Sequence, residues 1–281
     1  MSARCTKAII AVAGFGTRWL PLTKSIEKCM LPVGNRPIID YVVEDCIKAG
    51  ITDIYFVVSE QSDQLRRYYG KNELLYKYLE QRGKHKELKQ LKDISAKARF
   101  HYVVQSASMP YGTAVPIMLC KQFVEPHEQV VVVMGDQFMW NPDGKSEIAH
   151  LINEVKATGV TAGMGAVHVP KKEVSKYGVI EIIQHHHKRL FKRIVEKPAA
   201  GHAPSNLINL SLYVFDNELF DCLPHIRPTN GEYYVTDALN IYVNRLQKQL
   251  AVVPAIGEYL DGGTVEGWLY ANQRVFGSHR N

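Results

Sequence analysis

Residues 7 to 33, KAIIAVAGFGTRWLPLTKSIEKCMLPV, constrain the architecture more than any other stretch of the chain. They open with an apolar run at 8–12, short and rich in β-branched residues, of the kind that forms a strand buried on both faces of a parallel sheet. A turn follows at once, in which Gly14 and Gly16 can take backbone angles closed to other residues and leave no Cβ between the amides and a bound polyanion. Thr17, Arg18, Lys24 and Lys28 then supply a hydroxyl and three cations. A strand that aims such a loop at one point is a cradle for phosphate oxygens, a triphosphate being the simplest occupant.

The next segments extend this start into a sheet. Pro37 and Gly50 bracket an amphipathic helical pattern, and 53–58 (DIYFVV) reads as a second strand. Strand, helix, strand of this length is a right-handed crossover, so an α/β fold is expected: a doubly wound, mostly parallel, Rossmann-like sheet. Helical segments are expected at 63–69 and over about 72–92, the second too long for a simple connection, and 70–97 reads as a helical insertion. Further strands are expected at 100–105, 129–134 and 161–167, with helices at 113–123 and 147–158. Beyond residue 169 the texture changes to a hairpin (178–183 and 191–195), a strand at 207–215, a helix at 235–247, short strands at 250–254 and 256–260, and a closing helix at 264–276. One domain spanning 1–281 is expected, with a core at 1–168 and a small β-rich extension at 169–281.

Two familiar phosphate motifs do not account for the glycine loop. The dinucleotide fingerprint needs a third glycine where Trp19 stands, and the only Gly-Lys-Ser, at 144–146, has Met139 in the place of the first P-loop glycine. What remains is G-x-G-T-R at 14–18, followed by Pro21-Leu-Thr-Lys24 and Lys28-Cys-Met-Leu-Pro32. This combination resembles the signature of the sugar-1-phosphate nucleotidyltransferases.

The resemblance runs through nearly the whole chain and implies roles for particular residues. Ala13, Gly14, Gly16 and Thr17 match the nucleotide loop, Arg18 the contact to the β- and γ-phosphates, and Lys28 the lysine that reaches the phosphates. Gln105 with Gly112, Thr113 and Ala114 matches the segment that reads a pyrimidine edge. Gly178, Glu196, Lys197 and Thr236 match the sugar side, Glu196 accepting from sugar hydroxyls and Lys197 holding the sugar phosphate. Asp136, delivered by the strand at 129–134, and Asp261, in Tyr-Leu-Asp-Gly-Gly-Thr, match a pair that holds Mg2+; the plain alternative for either is a turn cap. The insertion and residues 203–207 resemble those of the bacterial branch that uses UTP and glucose 1-phosphate. UDP-glucose and pyrophosphate are then the expected products, and a homodimer or homotetramer the expected assembly. Alternatives within the same chemistry are transfer from dTTP or to another hexose 1-phosphate; outside it, a non-catalytic regulator that binds a nucleotide sugar.

Two departures from the family wording carry weight. Glu27 stands where the family has a proline, which puts a carboxylate beside an expected polyphosphate, and Met134-Gly-Asp-Gln137 is closer to the thymidylyl-transferring wording.

Composition narrows the remaining classes. No stretch approaches eighteen uncharged apolar residues and residues 1–7 lack the apolar centre of a signal peptide, so a cytoplasmic protein with no membrane partner is expected. The net charge of +6 suits an anionic substrate or nucleic acid equally. Much of the excess lies in 82–99, where charges of both signs mix without interleaved aromatics, so a solvated helix face and no nucleic-acid partner are expected. The five cysteines have no metal-ligand spacing and read as reduced packing residues; Cys29 lies in the signature, where neighbouring cations lower a thiol pKa, but nucleotidyl transfer needs no thiol, so packing is expected there too. His185, His186 and His187 sit at a hairpin turn, where successive side chains diverge and cannot converge on one ion.

Overall fold

A computed structural model describes residues 5–199 and 201–277. The apolar run forms β1 (Cys5–Ala11), and its alternation serves two layers at once: Ile9 enters one core, Ala8 and Ile10 the other. After β1 come the glycine loop, three short 3-10 turns at Thr17–Trp19, Leu22–Lys24 and Lys28–Met30, and a small hairpin of β2 (Pro32–Val33) and β3 (Arg36–Pro37). Helix α1 (Ile38–Lys48) starts directly after Pro37 and stops before Gly50, whose φ of 85° is open to glycine at little cost. It returns the chain to β4 (Asp53–Ser59), parallel to β1 with Lys7 facing Asp53 and Ala11 facing Val57.

Helix α2 (Gln64–Tyr69) follows, and the insertion then forms α3 (Glu73–Gln81) and α4 (His85–Ser95). The expected helix over 72–92 is broken at Gly83, with φ 65°, into a hairpin whose inner contacts include Leu79 and Leu88. Strand β5 (Arg99–Gln105) follows, then α5 (Val115–Cys120), which is shorter than the 113–123 expected because Pro116 lies in its first turn and the chain tightens to a 3-10 turn at Lys121–Phe123. Strand β6 (Gln129–Met134) leads to β7 (Gln137–Trp140), α6 (Glu147–Thr158) and β8 (Ala162–His168).

The remaining chain builds β9 (Gly178–His185), β10 (Lys188–Glu196), β11 (Leu207–Phe215), α7 (Asn217–Cys222), α8 (Val235–Asn244), β12 (Leu250–Pro254), β13 (Glu258–Asp261) and α9 (Val265–Gly277). His185 to His187 lie exposed at the turn of the β9–β10 hairpin. One nine-stranded sheet runs β5-β4-β1-β6-β11-β8-β12-β10-β9. The β5-β4-β1-β6 half is parallel, as the crossover reasoning requires, while β11 lies antiparallel to both β6 and β8. The β-rich part therefore continues the parallel sheet edge to edge. Helices α1 and α6 cover one face and α5, α7 and α8 the other. Strands β7 and β13 stand apart as an antiparallel pair; β13 falls on the short strand expected at 256–260, whereas β7 and the pairing had no sequence expectation.

Candidate active site

The C-terminal edge of the parallel strands is where an open sheet of this kind offers a crevice. Val12 prolongs β1 by one bond, its N–H donating to Val57 O at 2.9 Å, and the loop leaves the sheet at Ala13. Gly16 has φ 63°, and a Cβ there would come within 2.9 Å of Thr23 Cγ2, so packing and backbone both demand glycine. Gly14 differs: a Cβ there would meet no protein atom within 4 Å, so its bare backbone faces open space. Thr17 and Arg18 are exposed just beyond it. Beside the loop lies an open hollow of about 550 Å³ bordered by Phe15, Thr17, Thr23, Lys24 and Gln61, a size suited to a small ligand.

Lys28 follows on the same excursion, and its ammonium pairs with Asp136 at the end of β6. Its neighbour Glu27, expected to repel phosphate, turns elsewhere. The Glu27 carboxylate accepts from Ser62 Oγ at 2.7 Å and from the backbone N–H groups of Asp63 at 3.1 Å and Gln64 at 2.9 Å. Glu27 N–H donates back to Gln64 Oε1 at 2.9 Å, so the residue caps α2 and ties the loop to it. Cys29 is buried, as expected of a packing residue, and desolvation pushes its thiol well above the usual range.

Asp136 and Asp261 are brought together by β7 and β13. Asp261 faces Gln137 in the register, and Gly262 N–H donates to Asp136 O at 3.0 Å. Burial raises the Asp261 carboxyl above its ordinary value, a hydrogen bond from Gly263 N–H at 2.7 Å opposes this, Asp136 adds repulsion, and Lys28 and Arg18 pull it back down. Two neighbouring carboxylates, one paired with Lys28, form a spot where a divalent cation would relieve like-charge repulsion. Among the described residues no group of three or more His, Cys, Asp or Glu adds a further ligand, which leaves the rest of such an ion's coordination to phosphate oxygens and water.

Gln137, the second departure from the family wording, is spent on the scaffold. Its amide donates to Leu210 O and its Oε1 accepts from Tyr259 O–H at 2.8 Å, joining β7, β11 and β13.

Gln105 ends β5, opposite Ser59 of β4, two strands from β1 and so about 10 Å across the crevice edge from the glycine loop. One of its amide hydrogens reaches Pro110 O at 3.3 Å, leaving the carbonyl oxygen and the second hydrogen for a ligand. Gly112 has φ 128°, and a Cβ there would lie 2.3 Å from Tyr233 N and O. Its constraint is thus the sugar-side segment, where Tyr233 N–H donates to Tyr111 O at 2.8 Å and Ala114 N–H to Tyr233 O at 3.0 Å. The Thr113 hydroxyl accepts from Val235 N–H at 3.0 Å and caps α8 from outside.

Gly178 and Glu196 pair across the β9–β10 hairpin, and a Cβ on Gly178 would press to 2.9 Å from Glu196 Oε1. Desolvation raises the Glu196 carboxyl, Lys197 opposing and Asp237 reinforcing. Lys197 holds φ 43°, a left-handed angle that costs a lysine of order 1–3 kcal/mol and is fixed by its N–H bond to Tyr177 O at 3.0 Å. Thr236 is buried in the first turn of α8, and its half-buried neighbour Asp237 is the group whose charge reaches Glu196.

Comparison with known proteins bears on this arrangement. Residues 7–276 match the family described as Nucleotidyl transferase. The chain belongs to that family. Within this nucleotidyl transferase family, UTP–glucose-1-phosphate uridylyltransferase of Bacillus subtilis is 34% identical over 87% of this chain and 82% of its own. The protein of the same name from Mycoplasma pneumoniae is 33% identical, with 95% and 90% covered. Among solved structures, a UTP-bound UGPase from Acinetobacter baumannii superposes with TM-score 0.86 at 28% identity, covering 97% of this chain and 93% of that one. A UDP-glucose pyrophosphorylase complexed with UDP-glucose gives 0.85 at 29%, covering 98% and 99%.

Sequence reasoning missed three contributors to this nucleotidyl transferase site: the Glu27 cap, the Gln137–Tyr259 bond and the indole of Trp19. Each acts through a partner distant in sequence. The departures at 27 and 137 were their only local signal.

Proposed function

We propose that this nucleotidyl transferase makes UDP-glucose and pyrophosphate from UTP and glucose 1-phosphate, working as one catalytic unit over 1–281. The observation that carries the reading is the pairing of Lys28 with Asp136 beside Asp261, whose carboxyl feels the charges of Lys28 and Arg18, in a chain whose relatives of that name cover most of its length. A phosphate oxygen of glucose 1-phosphate attacks the α-phosphorus of UTP, and the bond to the bridging oxygen of pyrophosphate breaks, that oxygen keeping the electron pair. The attacking oxygen is already anionic at neutral pH, since a second phosphate ionisation lies near pH 6, so no general base is required.

Catalysis then rests on placement and charge. Amides of Gly14, Gly16 and Thr17 line the triphosphate, with Ala13 at the loop's root, and Arg18 takes the β- and γ-phosphates. Lys28 leaves Asp136 to reach the phosphates, and Lys197 holds the sugar phosphate. Glu196 and the Gly178 backbone orient sugar hydroxyls, with Thr236 shaping that wall through α8; Gln105, Gly112 and Thr113 frame the pyrimidine. Asp136 and Asp261 would hold Mg2+, which when bound screens repulsion between the two anionic substrates. A cytoplasmic homodimer or homotetramer completes the proposal.

A nucleotide-sugar-binding regulator would have no use for the paired carboxylates. The thymidylyl alternative stands on the wording at 134–137, where Gln137 bonds to Leu210 O and Tyr259, and the nucleotide series below decides it. The test is pyrophosphate release with glucose 1-phosphate, Mg2+ and each of UTP, dTTP, ATP and GTP. UTP should give the highest kcat/KM, with dTTP lower by about 10- to 200-fold, the range one methyl group permits. A maximum with ATP or GTP would refute the base assignment, and no turnover with any would refute the activity.

A further inference from the structure

We propose that Trp19 is a positioning residue that holds the Asp261 carboxylate in register with the nucleotide loop through a single peptide group. This rests on the transferase reading given above. Trp19 stands where a dinucleotide-binding loop would have its third glycine, directly after Arg18, and it is 7% exposed. Its indole N–H donates to Gly262 O at 3.0 Å, a buried bond between residues 243 positions apart.

The accepting carbonyl belongs to the same planar unit as Gly263 N–H, and that N–H donates to Asp261 Oδ1 at 2.7 Å. The indole therefore sets the plane of the peptide that aims Asp261, and the two bonds in series polarise one another. The preceding N–H, of Gly262, donates to Asp136 O at 3.0 Å. Three segments carrying the loop, Asp136 and Asp261 thus converge on two successive peptides. Gly262 must be glycine for this: a Cβ would lie 2.3 Å from Ile38 Cδ1 and 3.0 Å from Asp136 O.

A ring alone would fill the space equally well. Trp19 packs edge-on against Trp268, centroids 5.8 Å apart and planes at 87°, a contact that phenylalanine also makes. What tryptophan adds is the donor, and without it Gly262 O is left buried and unpaired while the peptide is free to turn. The same bond links the residue after Arg18 to the carboxylate, so displacement of the loop by a triphosphate moves both together.

The experiment compares Trp19→Phe, which keeps an edge contact and deletes the donor, with Trp268→Phe, which keeps a ring against Trp19 and deletes an exposed indole bond to Pro32 O at 2.7 Å that does not involve Gly262. Trp19→Phe is expected to lower kcat about tenfold with KM for both substrates within twofold, and to raise the half-saturating Mg2+ concentration several-fold. Titration calorimetry is expected to show UTP binding in EDTA unchanged and the gain from Mg2+ reduced. Trp268→Phe is expected to leave the Mg2+ response as in the wild type. Should Trp19→Phe fail to fold, incorporation of β-(3-benzothienyl)alanine at position 19 keeps the bicyclic shape without the N–H and is read in the same way. Wild-type kcat and Mg2+ response in the donor-free protein, or an equal Mg2+ shift in Trp268→Phe, would overturn the proposal. A wild-type protein that forms no UDP-glucose would instead defeat the transferase reading, and the calorimetry would still decide the role of Trp19.

Discussion

Replacing Glu27 should unfasten the nucleotide loop from the helix that follows β4. The carboxylate accepts three bonds, at 2.7, 3.1 and 2.9 Å, two of them from backbone donors at the start of α2. A cap of this kind contributes about 1 kcal/mol, and a bond to a charged acceptor contributes about 1.5–3 kcal/mol when well enclosed. For a half-buried side chain, Glu27→Ala should therefore cost about 2–3 kcal/mol. Proline, which the family wording implies at this position, is the more telling substitution. Glu27 holds φ −63° and ψ 133°, angles that proline takes without strain. Glu27→Pro would gain about 0.4–1 kcal/mol from a stiffer unfolded chain. It would lose the carboxylate bonds and also the N–H that donates to Gln64, so a net loss of about 2 kcal/mol is expected. In a chain of this size that is about 5 °C in Tm. Urea unfolding followed by circular dichroism measures the stability, and initial rates measure kcat/KM for UTP, which should fall about 10- to 100-fold as Lys28 is misplaced. A Glu27→Pro protein as stable as the wild type would refute the capping argument; Glu27→Ala with wild-type kcat/KM would refute the link from cap to loop.

Lys28→Ala and Lys197→Ala should each lose about 2–4 kcal/mol of transition-state stabilisation, the first chiefly through UTP and the second through glucose 1-phosphate, as read from kcat/KM with each substrate varied. Asp261→Asn should require far more Mg2+ for any given rate; full activity at limiting Mg2+ would reduce Asp261 to a turn cap. Asp45 of α1, whose Oδ1 is buried without a partner and which borders a small cavity of about 30 Å³, has its carboxyl raised to about 6 by burial. Between the unfolded value near 3.8 and this one the folded state binds more protons, so the penalty appears as pH rises through about 4 to 6 and is complete above it. Asp45→Asn should gain stability at pH 7.5, by up to about 3 kcal/mol, and little at pH 4; an equal change at both values in urea unfolding would contradict this.

Elements whose burial is continuous or strictly alternating were legible from the chain: 207–215 and 147–158 read from periodicity are β11 and α6 as found. Departures fell at ends and breaks, where one residue decides, such as Gly83 splitting the insertion and Pro116 delaying α5. The pairing of β7 with β13 had no local signal. Strand β7 is four residues long, too short for a period to stand out, whereas β13 falls on the short strand expected at 256–260 and only its partner was hidden.

The same division runs through the candidate site. By itself the sequence determined the strand that aims a glycine loop, the cations that follow it and the carboxylate delivered by β6, because hydrophobic periodicity and backbone permissiveness are properties of a residue and its near neighbours. The tertiary structure alone decided that Asp261 meets Asp136, that Glu27 turns its charge into α2, and that Gln137 and Trp19 serve as struts. The reason is physical: a hydrogen bond or a charge acts over a few ångströms, and which groups come that close depends on the folding of segments far apart in the chain.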